Sequence, residues 1–81
     1  MQDDSMTEAR DLAGAAAGDD PAVGLRAVWA LGKLLEHLEE QQVDAARDSG
    51  WTWQQIADSL FVSRQAVHHK HARRRASQGK E

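Results

Sequence analysis

Between Ser63 and Arg75 the chain concentrates side chains that hydrogen-bond or carry positive charge, and no acid occurs between Phe61 and Lys80. These residue types suit nucleic-acid recognition. Glutamine can bond an adenine edge in bidentate fashion, and arginine a guanine edge. A hydroxyl at a helix N-terminus suits a phosphate. Clustered arginines release counterions from phosphates, so affinity falls as salt rises. Ser63, Arg64, Gln65, His68, His69, Arg73, Arg74 and Arg75 are therefore the expected DNA-binding residues. Thr52 and Gln54, further upstream, are expected to hold the backbone from the other side.

Other chemistries are poorly provided for. His68 and His71 are three apart and share a helix face, but the chain has no cysteine and no acid follows Asp58 until Glu81. Zinc needs three or four ligands, so no metal and no cofactor is expected. The histidines read instead as groove-facing or packing groups that gain charge in mildly acidic solution. There is no nucleophile paired with a base and no glycine-rich phosphate loop. At 81 residues there is too little chain to wall a pocket. The expectation is a binding protein, not an enzyme.

Such residues need elements to position them. Thr52 and Gln55 have the spacing of a capping box, and Trp51 and Ile56 that of a hydrophobic staple. They start a helix over residues 53–60, with Ile56, Ala57 and Leu60 inward. Phe61 and Val62 make a turn. Ser63 caps a third helix running to about Arg75, with Val62 and Val67 as its staple pair. Two short helices joined by a tight turn, the second basic, form the helix-turn-helix pattern. Its second helix, residues 63–75, is the one expected to enter the major groove.

Upstream, Asp20-Pro21 is a helix start, with Asp20 as cap and Pro21 at the first helical position. Leu25, Val28, Leu31, Leu35 and Leu38 recur at three- and four-residue steps, and Gly50 is the stop. The organisation that follows is an acidic, frayed or short-helical segment over 1–19, a long helix over 20–50, a helix-turn-helix over 51–76 and a flexible tail over 77–81. The fold class is all-α: a long N-terminal helix followed by a helix-turn-helix, together a three-helix unit, with a short extra N-terminal helix as an option. A three-helix unit uses only part of the long helix, so its N-terminal half overhangs. Val28, Trp29, Leu31 and Leu35 are the expected dimer interface, since helix-turn-helix units commonly bind paired half-sites. The competing arrangement folds residues 6–17 back as a fourth helix. Trp51 and Trp53 read as structural.

Charge is segregated along the chain. Residues 1–50 hold four basic and eleven acidic side chains, net −7, and residues 51–81 hold six and two, net +4. A basic end on an acidic body is common among nucleic-acid binders. No apolar run is long enough for a membrane span, and the N-terminus does not read as a signal peptide. A cytoplasmic, nucleoid-associated location is expected, with double-stranded DNA as partner and a homodimer as the working form.

The segment from Trp51 to Leu60, WTWQQIADSL, followed by Val62-Ser63-Arg64-Gln65-Ala66-Val67-His68, resembles small actinobacterial helix-turn-helix DNA-binding proteins. The general class is similar to sigma factor region 4-like domains. The resemblance extends back to Asp20-Pro21 and covers about two thirds of the chain. It implies a long helix ahead of a two-helix DNA-binding unit and a role in transcription or chromosome binding. It also implies that Ser63, Arg64, Gln65 and His68 occupy recognition-helix positions. The turn departs from the pattern, which usually reads Leu-Gly-Val-Ser, whereas here it reads Leu60-Phe61-Val62-Ser63. Phe61 is expected to strain the turn, to reshape it, or to stand as an exposed apolar contact. Lys70 falls where many such units place an apolar residue, and His71 is the candidate to fill that space. The alternative function is a protein-interaction module docking on transcription machinery or a partner helix, since fold does not fix function.

Overall fold

The computed structural model describes residues 4–77. Four helices follow in order: α1 (Asp4–Ala16), α2 (Pro21–Asp48), α3 (Trp53–Leu60) and α4 (Arg64–Ser77). The all-α architecture, with a long helix ahead of shorter ones, is as expected, and α1 supplies the optional extra helix. Residues 1–3 and 78–81 lie outside the described residues, and with them most of the expected flexible tail. Ser77, expected in that tail, is the last residue of α4.

The helix limits follow from local chemistry. At the start of α2, Asp20 Oδ1 accepts from the Ala22 N–H at 3.0 Å, satisfying one of the donors a helix leaves free at its start. Its end is closed by two reversed bonds: the Gly50 N–H to the Arg47 carbonyl at 3.0 Å and the Trp51 N–H to the Ala46 carbonyl at 2.9 Å. This double closure needs a left-handed residue between the helix and the exit, and Gly50 supplies it at φ 93°.

The chain forms two compact units, Met1–Leu38 and Glu39–Glu81, and α2 runs through the division. In the first unit α1 turns back on α2. A Cβ at Gly24 would lie 3.7 Å from the carbonyl oxygens of both Ala15 and Ala16, an ordinary contact. Gly24 and Ala27 are buried there. The end of α1 thus lies beside the first turns of α2, and the N-terminal segment is helical over residues 4–16. It does not cover the stripe: Leu25, Val28, Trp29 and Leu35 remain exposed.

The second unit holds the core. Val43 from the end of α2, Trp53, Ile56 and Ala57 from α3, and Val67 from α4 are buried together, with Ala46, Leu60 and Ala72 packed on them. Burying a side chain such as Ile56 contributes roughly 1.5–3 kcal/mol. Ala57 is wholly buried, and that position tolerates no larger side chain without displacing its neighbours.

Candidate nucleic-acid interface

α3 begins as its residues dictate. The Thr52 hydroxyl accepts from the Gln55 N–H at 3.1 Å, and Gln55 Oε1 accepts from the Thr52 N–H at 2.8 Å. The reciprocal pair is the capping box. At its other end Phe61 occupies the left-handed region, at φ 58° and ψ 40°. Its N–H reaches the Asp58 carbonyl at 3.4 Å, and the Val62 N–H reaches the Ala57 carbonyl at 3.1 Å. This is the same closure that Gly50 gives α2, built on a phenylalanine. Of the three outcomes expected for Phe61, two hold together: its backbone is strained and its ring is 94% exposed. The turn is not reshaped.

Ser63 then caps α4, its hydroxyl oxygen accepting from the Ala66 N–H at 3.1 Å. The hydroxyl proton stays available to an external acceptor. Along α4 the sides divide sharply. Val67, His71 and Arg75 are buried, while Arg64, Gln65, His68, His69 and Arg73 are exposed. Gln65, His69 and Arg73 follow at four-residue steps and share one face. His68, beside them, has its ring edge-on to Trp53, with centroids 5.3 Å apart and planes at 81°. Trp53 carries the Arg47 guanidinium over its ring at 4.6 Å, and Arg47 Nη1 donates to the Trp51 carbonyl at 2.8 Å. Trp53 thus carries Arg47 over its ring and meets His68 edge-on, holding this α4 side chain from behind.

Two of the expected phosphate ligands are used elsewhere. Arg74 makes a bidentate pair with Asp44, Nη1 to Oδ2 at 3.1 Å and Nη2 to Oδ1 at 2.9 Å. Arg75, only 4% exposed, donates to Asp44 at 2.8 Å and to Asp48 at 3.0 Å. Both arginines bind α4 to the end of α2, so assigning them to DNA is corrected. A 100° step per residue places Arg73 outward and its two successors inward. Thr52 and Gln54 are exposed, but Gln54 Nε2 donates to Asp58 at 2.8 Å and the Thr52 hydroxyl lies 3.3 Å from Gln55 Oε1. Backbone contacts from these two would have to displace internal bonds.

His71 fills the space that Lys70 leaves. Arg74 Nη2 lies 3.1 Å from His71 Nδ1, and His71 Nε2 lies 2.7 Å from Glu39 Oε2. Because a guanidinium only donates, Nδ1 accepts and Nε2 carries the proton towards Glu39. Lys70 Nζ also reaches Glu39, at 3.0 Å. Burial raises the Glu39 pKa, but the bonds from His71 and Lys70 outweigh it and leave it lowered. The Asp44 carboxyl is lowered to about 2, chiefly by its hydrogen bonds from Arg74 and then, against the effect of burial, from Arg75.

Sequence reasoning named His71 as a filling group and Trp53 as structural, but missed the ion partners on α2 and the seating of Arg47 and His68 on Trp53. The one available signal was that apolar spacing in the third helix stops after Val67, so polar groups had to complete the buried side. Among the described residues no group of three or more His, Asp or Glu is placed to hold a metal ion. No helix there is long and apolar enough to cross a membrane. No protein family, curated protein or solved structure matches the chain.

Proposed function

We propose that the chain is a sequence-preferring DNA-binding protein, a transcriptional regulator that lays α4 in the major groove. It acts as a cytoplasmic, nucleoid-associated homodimer and catalyses no reaction. The observation that carries this reading is the division of α4: one side buried by Val67, His71 and Arg75, the other presenting Gln65, His69 and Arg73, with His68 at its edge and Arg64 exposed at the helix start. Arg64 and Gln65 lie in the first turn, where recognition helices meet base edges. Ser63 stands at the helix start with a free proton for phosphate, and Arg73 supplies a cation further along.

The test is selection of binding sites from random duplex DNA at two salt concentrations, repeated with Arg64→Ala/Gln65→Ala. Both side chains are exposed, so the double variant keeps the fold. A selected motif that the variant loses, at a cost of about 10-fold or more in affinity, supports base reading. Random output at both salts overturns it.

A second reading, docking on transcription machinery or a partner helix, is favoured by one observation. Phe61 is 94% exposed and Val62 beside it is half-exposed, at the tip of the turn. If Phe61→Ala abolished capture of a protein partner while the Arg64/Gln65 variant kept all DNA affinity, that reading would replace the first.

A further inference from the structure

The first unit leaves an apolar face that its own chain does not cover. Leu25 is 71% exposed, Val28 53%, Trp29 67% and Leu35 57%. Leu25, Val28, position 32 and Leu35 follow at steps of three, four and three, the spacing of a seam between two helices. Position 32 is Gly32, and a Cβ added there would meet nothing within 4 Å. Gly24, by contrast, is matched by the carbonyls of α1. Glycine in the middle of an exposed helix lowers stability relative to alanine, and nothing in this chain requires it at position 32. A second backbone approaching closely would require it.

We propose that a second copy of this chain seats on this face, antiparallel to the first, about a twofold axis level with Ala30. The inference deepens the homodimer part of the function proposed above. Antiparallel seams oppose the two kinds of seam position. Here that places Leu25 against Leu35 of the second copy, and Val28 against its Gly32, a large residue into a gap. The flanks close on themselves as an isologous contact must. The two Trp29 rings meet on one side of the axis and the two Leu31 side chains on the other. Arg26 and the second copy's Glu36 come level with each other at the rim of the seam, where Glu36 already holds Lys33 of its own helix at 3.7 Å. Parallel pairing would instead face Gly32 with Gly32, leaving a hollow, and set Leu31 beside the Glu36 carboxylate.

The chain has no cysteine, so orientation can be read by crosslinking the full protein. Leu25→Cys and Leu35→Cys are prepared separately, mixed and oxidised. Antiparallel pairing gives the mixed disulfide and little of either self-linked product. Self-linked product from each variant alone overturns the orientation. Sedimentation of the unmodified chain at micromolar concentration is expected to show a dimer, and a monomer overturns the proposal outright. Trp29→Ala should weaken the dimer about 30-fold or more, as for a central aromatic anchor. Gly32→Ala should weaken it too while keeping helix content at or above that of the parent. Unchanged dimer affinity in both variants would place the contact elsewhere. No DNA is present in these measurements, so their failure leaves the base-reading proposal standing, and failure of the site selection leaves the dimer standing.

Discussion

Replacing Phe61 with glycine should stabilise the Glu39–Glu81 unit. Phe61 holds φ 58° and ψ 40°, and the left-handed region costs a side chain with a Cβ about 1–2 kcal/mol. The ring is 94% exposed, so its removal forfeits only about 0.3 kcal/mol of burial. Glycine returns part of the gain, about 0.5 kcal/mol, through its freer unfolded chain. The net expectation is a gain of about 0.2–1.2 kcal/mol, or roughly 1–10 °C in Tm for a domain this small. Thermal melts followed by circular dichroism measure it, with Phe61→Ala as the control. Alanine removes the ring but keeps the Cβ and hence the strain, so it should melt within a few degrees of the parent. If the glycine and alanine variants melt together, backbone strain at the turn is not what the geometry implies. A loss of function common to both variants would then assign the ring a partner.

Three further outcomes follow from the charged side chains of the second unit. The Asp44 carboxyl is lowered from 3.8 to about 2, so its contribution is fully present above about pH 4 and is lost as pH falls towards 2. That contribution is about 2 kcal/mol at most, and urea titrations across this range should show a slope that Asp44→Ala lacks. Equal slopes would remove Asp44 as the acid-sensitive group. Arg73→Ala should reduce the salt dependence of DNA affinity by about one unit of log–log slope. Arg74→Ala should leave the slope of the folded protein unchanged and lower its stability instead, because it strips the bidentate partner from Asp44. A slope change in the Arg74 variant equal to that of Arg73→Ala would return Arg74 to the DNA-facing set.

The parts of this protein that were legible in the sequence are those settled within a few residues. Asp20 and Pro21, Thr52 and Gln55, Ser63, and Gly50 fix where helices begin and end, because each satisfies backbone groups no more than about four residues away. The apolar spacing of Ile56, Ala57, Leu60 and Val67 likewise named aliphatic side chains that α3 and α4 bring to the core. The strain at Phe61 was foreseeable from its place in the turn, since only the local backbone decides it.

What needed the tertiary structure was the choice among chemically equal groups. Arg73, Arg74 and Arg75 are indistinguishable as residue types, yet one faces outward and two are locked to Asp44 and Asp48. Their partners lie about thirty residues away on α2, and which charges meet depends on how that helix lies against α4 within the second unit. The burial of His71 between Arg74 and Glu39 and the seating of His68 on Trp53 have the same origin. Helix periodicity gives each residue its direction, but only packing decides whether that direction points at solvent or at another side chain.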